Sequence, residues 1–401
     1  MPERFVPGLS KHVRDHRSAR MQQLMRAQGY DALAFTGADW FEWVSNHPIG
    51  DQSFERPYLV VVTADQRSFA LTSELGANWL DTERARGEVW LDFVTHYSES
   101  PDTTNRKWTL AHGAQMVAEA LRHAGLACGR IGADFSGGWL NAAAGLLPGL
   151  TIIRASEHLR ELRRVKHADE IATMRRCAVL TEWALGVYRN ELRPGRQLAE
   201  LDLSVSAQLA AEAGRRHPDE AFVIRKLVTT SGPASARADD GGRAGLTLEN
   251  DAIASTSLAT RLNGLAMELA RPWLIGSTGK RVVELFEWAR AAQDASIDQL
   301  VAGRPISGVH RAARLVFERA GCAADFRLRA GHGIGVVQHD YPVDLPFDDR
   351  PLLEQEVYAI EPSLHIAGLG VFRFADTVAV GAERPDPLTR ADKVPSALSV
   401  R

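Results

Sequence analysis

The pattern of helix-like and strand-like segments changes near Glu157, and this change constrains the fold more than any other feature of the sequence. Before it, strand-like runs such as "DALAFTG" and "YLVVVTADQ" alternate with helical stretches such as "WTLAHGAQMVAEALRHAG". Such alternation predicts an α/β domain on a mostly parallel or mixed sheet. After it, helices and strands are grouped, which predicts an α+β domain. We therefore predict two domains, residues 1–156 and 157–401, the second of which ends in a Pro-rich, polar and loosely held tail after Val380.

The composition argues against several classes of protein. The 47 basic and 50 acidic residues leave a formal charge of −3, which is too close to neutral for a surface that binds nucleic acid or membrane. The N-terminal stretch is charged and lacks the apolar segment of a secretory signal. The 3 cysteines are far apart, which is typical of buried reduced thiols. We expect a cytoplasmic protein that acts on a small-molecule substrate, with no nucleic-acid or membrane partner.

The segment "GHGIGVVQHD" places two histidines in a glycine-rich context. His332 lies between glycines, which lack a Cβ and allow a ligand to approach the main chain closely. A loop histidine bonded only to the backbone is the alternative explanation. His339 stands beside Asp340, but adjacent side chains on a strand face opposite ways, so this dipeptide alone is weak evidence for a catalytic pair. The segment fits either part of a metal site or a site that handles protons.

Two acidic residues interrupt apolar strands. Glu361 lies in "YAIEPSLHIAG" and Glu268 in "GLAMELARPW". A buried carboxylate must be paired, ligated or protonated, because an unpaired buried charge is very costly. Both are therefore candidate functional residues, although a structural ion pair with Arg373 is an alternative for Glu361. In "VFRFADTVAV", Arg373 and Ala375 share one strand face, and Asp376 lies on the other.

Together these segments resemble the creatinase, prolidase and aminopeptidase P family, which has the pita-bread fold. "RMQQLMRAQGYDALAFTG" and "RPYLVVVTADQ" resemble its N-terminal domain, and "RRVKHADEIATMRRCA" resembles the helix that enters the second domain. "GHGIGVVQHD", "EVYAIEPSLHIAG" and "RFADT" resemble its C-terminal core. The resemblance covers nearly the whole chain. It implies an α/β N-terminal domain, an α+β pita-bread C-terminal domain and a homodimer.

The resemblance also implies a position for each metal ligand. Metallopeptidases of the family bind two metal ions through two aspartates, a histidine and two glutamates. His332 and Glu361 match two of these ligands, but Ser257 and Glu268 stand at the aspartate positions and Ala375 at the last glutamate. A two-metal centre needs several converging charged ligands. We therefore predict no metal and no cofactor; a single ion held by His332, Glu361 and Glu268 is the alternative.

Creatinase works in this fold without a metal, so the resemblance implies acid and base catalysis by side chains. Histidine suits this role because its unperturbed pKa, about 6.5, lies near neutrality. We predict that His332, Glu361, Glu268 and His339 are catalytic, with His332 as general acid or base and the glutamates fixing charge. His339 matches the family's histidine on the substrate side, and we predict that Arg373 binds substrate.

Three further substrate-binding residues rest on weaker matches. Asp239, in "SGPASARADDGGR", falls near another histidine position of the family; a solvated acidic loop is the alternative. "DWFEWVSNHP" lies where the N-terminal domain of the family carries a loop that, in dimers, reaches the active site of the partner. Trp40 and Trp43 would then line the pocket of the second subunit. Packing between the two domains is the alternative for these tryptophans.

We therefore predict a metal-independent, creatinase-like hydrolase that cleaves a C–N bond of a small polar amino-acid-like compound. Three alternatives stay open. They are an Xaa-Pro aminopeptidase or prolidase-like metallopeptidase with an altered metal site, a lyase on a small charged substrate, and a catalytically inactive binding protein of the same fold.

Overall fold

A computed structural model describes residues 8–49, 56–100, 109–135, 138–236, 245–394 and 397–398. The chain divides into two units, residues 1–162 and 163–401. The boundary that we predicted, between residues 156 and 157, lies at the start of the helix that ends the first unit, Ser156–Leu162.

The first unit is built on a six-stranded mixed sheet. Its strands are β1 (Ala32–Phe35), β2 (Leu59–Thr63), β3 (Ser68–Ser73), β4 (Phe93–Tyr97), β5 (Cys128–Ala133) and β6 (Gly149–Arg154), in the order β4-β3-β2-β1-β5-β6. Its helices are α1 (Lys11–Gln28), α2 (Ala38–Ser45), α3 (Ala77–Ala85), α4 (Thr109–His123), α5 (Gly138–Ala144) and α6 (Ser156–Leu162). Strand β1 pairs antiparallel with β2 and parallel with β5. The predicted α/β class is confirmed.

The boundaries of the first elements follow from local chemistry. Helix α1 ends at Gly29, whose φ of 64° is a left-handed conformation that glycine adopts without a steric penalty. Every residue of β1 is apolar and buried, as is typical of a central strand whose two faces are both covered.

The second unit groups its helices and strands, as predicted for an α+β domain. Its helices are α7 (Ala168–Glu191), α8 (Leu198–Arg216), α9 (Lys280–Ile297) and α10 (Ser307–Arg319). Its strands are β7 (Phe222–Ser231), β8 (Ala252–Leu262), β9 (Leu265–Ile275), β10 (Gly331–Gly333), β11 (Val357–Ile360), β12 (Ser363–Ile366), β13 (Gly370–Arg373), β14 (Asp376–Ala379), β15 (Asp386–Pro387) and β16 (Ala397–Leu398). They form sheets of order β16-β9-β8-β7 and β10-β11-β14-β15, with a separate β12-β13 pair.

A long hairpin of β8 and β9 positions the first acidic residue. Its two-residue turn, Asn263-Gly264, has φ values of 47° and 79°, which is the left-handed backbone that Asn-Gly turns favour. The turn fixes a register in which Ala259 pairs with Glu268. Ser257 lies two residues before Ala259, so it shares a face with Glu268.

The polar tail is held more firmly than its composition predicts. Strand β15 pairs with β14, and Leu388 and Thr389 are buried. The hydroxyl of Thr389 donates to Asp376 at 2.8 Å. Our prediction of a loosely held coil is wrong for the described part of the tail, because its polar groups find buried partners that composition does not reveal.

No helix in the described part of the chain is both long enough and apolar enough to cross a membrane. The cytoplasmic location stays a prediction.

Candidate active site

Two glycines allow His332 to lie in a closely packed strand. A Cβ at Gly331 would lie 2.3 Å from the carbonyl oxygen of Ala359, and one at Gly333 would lie 2.5 Å from that of Tyr341. Only glycine fits such approaches. His332 is fully buried and pairs with Ala359. Its Nδ1 donates to the carbonyl of Gly333 at 2.9 Å, so Nε2 is the nitrogen left for the site.

Two carboxylates flank Nε2 of His332. Oε2 of Glu268, on β9, and Oε1 of Glu361, directly after β11, each lie 3.5 Å from it. Gln338 donates to Oε2 of Glu268 at 2.9 Å. A separation of 3.5 Å is longer than a good hydrogen bond, and Nε2 has no hydrogen-bond partner within the described residues. The proton on Nε2 therefore lies between two acceptors without being committed to either.

The carboxylates determine the pKa of His332. Burial lowers this pKa, but the nearby carboxylates of Glu268 and Glu361 favour the charged imidazolium, outweigh burial and raise the pKa to about 9. Burial likewise raises the pKa of Glu268, but His332, Gln338 and Arg373 together hold it below its usual range, at about 2. At neutral pH the centre of the site is therefore an imidazolium beside a carboxylate.

His339 lies next to His332, and its pKa is shifted in the opposite direction. The ring centroids of His332 and His339 are 4.2 Å apart. Partial burial of the ring lowers the pKa of His339, and the positive charges of His332 and Arg329 lower it further. At neutral pH, His339 is therefore neutral while His332 is protonated. Two neighbouring groups whose pKa values are separated in this way can serve as a base and an acid.

Arg373 lies on the side of the site where family ligands are missing. Its Nη2 donates to Oγ of Ser257, and its Nη1 lies 3.5 Å from Oε2 of Glu361. Ser257 offers a hydroxyl and Ala375 a methyl group where the family has carboxylates. A second cation here would meet a guanidinium and too few anionic ligands. A two-metal centre therefore does not fit these residues.

A single divalent ion does fit one set of donors. An oxygen of Glu268 and one ring nitrogen each of His332 and His339 all lie within 4.8 Å of one another. Imidazole and carboxylate together suit several divalent metals. His332 would have to lose its Nε2 proton, so a metal and the proton compete for the same atom. This set contains His339, whereas the single-ion alternative from the sequence contained Glu361.

The remaining predicted residues lie elsewhere. Trp40 and Trp43 belong to α2 in the first unit, where their rings pack edge to face with centroids 5.6 Å apart. Trp43 is buried, with the guanidinium carbon of Arg17 5.0 Å from its ring centroid. Their role in the pocket of a second subunit stays a prediction. Asp239 lies outside the described residues.

Sequence reasoning missed two residues of this cluster. Gln338 fixes the carboxylate of Glu268, and Arg329 places a positive charge near His339. Arg329 stands three positions before His332 in "FRLRAGHGIG". An arginine so close to a histidine between glycines is the signal that could have drawn attention to it.

The chain belongs to metallopeptidase family M24. It matches the family over residues 172–382, more than half of its length. It also matches the creatinase/prolidase N-terminal domain over residues 17–165. The predicted family and the predicted fold are therefore confirmed.

Three known proteins differ in how much of the chain they match and in how similar they are to it. The probable dipeptidase PepE of Mycobacterium tuberculosis is 30% identical over 238 residues, or 59% of this chain and 60% of the relative. The chain thus spans less than two thirds of that dipeptidase. The agropine synthesis cyclase of Rhizobium rhizogenes is 27% identical over 96% of this chain and 97% of its own. The crystal structure of dipeptidase PepE from Mycobacterium ulcerans superposes with a TM-score of 0.81 at 20% identity, covering 98% of this chain and 100% of that one.

Proposed function

We propose that the protein is a metal-independent hydrolase of family M24 that cleaves a C–N bond in a small polar amino-acid-like compound, and that it works as a homodimer. One observation carries the proposal. Nε2 of His332 lies 3.5 Å from both Glu268 and Glu361, while Ser257 and Ala375 stand where a metal pair would need carboxylates. These carboxylates stabilise a proton on His332 in place of a metal ion.

The two histidines then divide the work of hydrolysis. Neutral His339 accepts a proton from a water molecule, and the water oxygen forms a bond to the carbon of the scissile C–N bond. Protonated His332 donates its Nε2 proton to the nitrogen as the C–N bond breaks. Glu268 and Glu361 stabilise the imidazolium form of His332. Passage of the extra proton from His339 to His332 restores both residues, so one water molecule is consumed for each bond that is broken.

A dipeptidase with a single metal ion is the second candidate. The donor set of Glu268, His332 and His339 favours it, as does the similarity to the probable dipeptidase PepE. When bound, a divalent ion would supply Lewis-acid polarisation of the scissile carbonyl. These three residues would hold it, and His332 would then be a neutral ligand and not an acid.

A cyclase is the third candidate, because the similarity to the agropine synthesis cyclase extends over nearly the full length of both chains. In a cyclisation, a hydroxyl or amine of the substrate itself would take the place of water. The acid and base roles of His332 and His339 would be unchanged. The lyase and the inactive binding protein stay as alternatives from the sequence.

A substrate panel assayed with and without a chelator separates these candidates. The panel contains N-acyl amino acids, guanidino acids, Xaa-Pro dipeptides and hydroxy-acid amides, with products identified by mass spectrometry. We expect C–N cleavage that persists in excess chelator and is lost in His332→Gln, while the matched variant of an exposed histidine, His123→Gln, keeps full activity. Dipeptide cleavage that stops with chelator and returns with one equivalent of Mn²⁺ or Co²⁺ would establish the second candidate instead. A cyclic product formed without uptake of water would establish the third.

A further inference from the structure

We propose that Arg163 is a positioning residue of the active site. It acts through an ion pair with Asp340, which fixes the segment 333–342 and thereby the side chains of Gln338 and His339. The inference rests on the proposed function, because it names a residue that keeps the base of that site in its place.

Arg163 and Asp340 form a buried ion pair that uses both oxygens of the carboxylate. Nη2 of Arg163 lies 2.9 Å from Oδ1 of Asp340, and Nε donates to Oδ2 at 3.2 Å. The two side chains are 4% and 5% exposed. Two hydrogen bonds between a guanidinium and a carboxylate fix the relative orientation of both groups. The pair therefore sets where residue 340 lies.

The backbone around Asp340 returns to β10. The N–H of Asp340 donates to the carbonyl of Gly333 at 2.7 Å, and the N–H of Gly333 donates to the carbonyl of Pro342 at 2.7 Å. Oδ1 of Asp340 also accepts the N–H of Tyr341 at 2.8 Å. These lengths are those of good hydrogen bonds. Segment 333–342 is therefore a loop closed at its base, and Asp340 secures that base to β10.

The two residues before Asp340 both contact the catalytic groups. Gln338 donates to Oε2 of Glu268 at 2.9 Å, and the ring centroid of His339 lies 4.2 Å from that of His332. A shift of residue 340 displaces both side chains together, because they are attached one and two positions before it. Misplacement of a catalytic group by about 1 Å can cost about 100-fold in rate.

Close packing around the ion pair leaves the pair little freedom to move. A Cβ at Gly335 would lie 2.7 Å from Oδ2 of Asp340 and 3.2 Å from Cε of Lys166. The buried ammonium of Lys166 donates to the backbone carbonyls of Arg163 and Arg164, at 3.0 and 3.1 Å. The backbone from which the guanidinium of Arg163 extends is thus held as well, so both ends of the pair are fixed.

Stability alone does not require an ion pair at this place. Replacement of a buried ion pair by apolar residues of similar volume is often neutral or stabilising. Apolar side chains in place of Arg163 and Asp340 would fill the space, but they have no directional bonds with which to select one arrangement of the loop. Selection of one arrangement is what a base that must lie beside its acid requires.

Arg164 provides a matched reference in the same segment. Its Nη2 lies 2.5 Å from Oε1 of Glu356, and these side chains are 5% and 1% exposed. This ion pair is as deeply buried as that of Arg163, but Glu356 lies outside segment 333–342 and directly before β11. A variant of Arg164 therefore loses a comparable pair without loosening the base of the loop.

Replacement of one or both partners separates positioning from stability. Arg163→Met removes the ion pair and leaves the carboxylate of Asp340 buried, whereas Arg163→Met/Asp340→Leu removes both charges. We expect the double variant to regain thermal midpoint that the single variant loses. We expect kcat on the best substrate of the panel to stay about 10- to 100-fold low in both variants, because the loop is displaced in both. KM should change less than about threefold, since the lost contacts matter in the transition state.

Two further variants give the conservative rescue and the control. We expect Arg163→Lys to keep more of kcat than Arg163→Met, because lysine retains the charge but not the planar fork. We expect Arg164→Met to lower the thermal midpoint about as much as Arg163→Met, while its kcat stays within about twofold of that of the native protein.

Hydrogen exchange gives a readout that does not depend on turnover. The amides of Gly333, Asp340 and Tyr341 are hydrogen-bonded within the loop. We expect Arg163→Met and the double variant to exchange about tenfold or more faster in the peptide 333–342, because local opening exposes these amides. Exchange in this peptide should be unchanged in Arg164→Met. Mass spectrometry of the full chain at pH 7 measures both.

Two results would overturn the positioning role: a double variant with native kcat and native exchange in the peptide 333–342, or equal loss of kcat in Arg164→Met and Arg163→Met. If Arg163→Met does not fold, Asp340→Asn takes its place, because asparagine keeps the shape and removes the charge. We expect it to show the same changes to a smaller extent, and native kcat and exchange in it would overturn the role.

The positioning role and the proposed function fail independently. Faster exchange in the variants of Arg163, together with no C–N cleavage in the panel, would leave the positioning role standing and remove the function. Metal-free C–N cleavage that is unchanged in the double variant would do the reverse.

Discussion

Two arginines of the second unit make a direct comparison between a structural and a functional ion pair. Arg271 donates five hydrogen bonds, one to Asp376 and the others to backbone carbonyls, and both side chains are 3% exposed. Arg373 donates to Ser257 and lies 3.5 Å from Glu361, with its Nε unpartnered among the described residues. Arg271 donates to the carbonyl of Ala375, and Arg373 precedes Ala375 by two residues. Of the two ion pairs, however, only that of Arg271 with Asp376 has its hydrogen-bonding groups fully used.

The difference indicates why some polar groups in a buried network can be left without hydrogen-bond partners. A fully satisfied polar network fixes one arrangement of the chain and leaves nothing to offer a ligand. An unsatisfied one carries a cost that the folded protein alone does not offset, so each unpaired atom calls for an explanation. Nε2 of His332 and Nε of Arg373 are two such atoms in one cluster. We attribute the first to proton transfer and the second to substrate binding.

The largest effect should come from breaking the functional network at its centre. We expect His332→Gln to lower kcat by about 10²–10⁴-fold, because glutamine can donate a hydrogen bond but cannot transfer a proton. Steady-state kinetics on the best substrate of the panel measures this, with near-UV circular dichroism to show that the variant is folded. Activity within about threefold of the native protein would remove His332 from the chemistry.

The structural network should respond in stability and not in chemistry. We expect Arg271→Met to lower the free energy of unfolding by about 3 kcal/mol, because Asp376 loses its closest cation and keeps only Lys393, whose Nζ lies 3.4 Å from Oδ2. Denaturant unfolding at pH 7 measures the loss. The double variant Arg271→Met/Asp376→Leu should recover part of it, since no unpaired charge remains. A loss below about 1 kcal/mol in the single variant would show that the pair is not structural.

The sequence predicts the site residues that match the family motifs better than it predicts the residues that depart from them. His332 and Glu361 lie in motifs that resemble the family, and the Asn-Gly turn fixes Glu268 by register. These are local signals, so the chain alone is enough to find them. The Nε atoms of Arg329 and Arg373 have no hydrogen-bond partner among the described residues, and no local pattern in the sequence encodes the absence of a partner.

The pH dependence of stability distinguishes the two networks further. The pKa of His332 is raised in the folded protein to about 9, compared with about 6.5 when unfolded. Its protonation therefore stabilises the fold fully below about pH 6.5, and this contribution is lost as the pH rises through 9. We expect the difference in unfolding free energy between the native protein and His332→Gln to shrink over that interval. A difference independent of pH would contradict a raised pKa.

The smallest effect should come from Glu361→Gln. The contacts of Glu361 with His332 and Arg373 are both 3.5 Å long, and the side chain of Arg373 is 23% exposed, so we expect a stability change of about 1–2 kcal/mol, smaller than that of Arg271→Met. The same substitution should move the pKa of His332 downward, because it removes one of its two anionic neighbours. Denaturant unfolding and a histidine titration test both parts. Strong destabilisation would place Glu361 with the structural network.

The central claim is that Nε2 of His332 binds a proton and not a metal ion. Nitrogen-15 NMR of histidine-labelled protein reports this directly, because protonated, neutral and metal-bound ring nitrogens have distinct chemical shifts. We predict that His332 is an imidazolium at pH 7, titrates near pH 9, and keeps its proton when one equivalent of Zn²⁺ is added. A neutral His332 at pH 7, or loss of its proton on addition of one equivalent of Zn²⁺, would contradict the claim and identify the site as a metal centre.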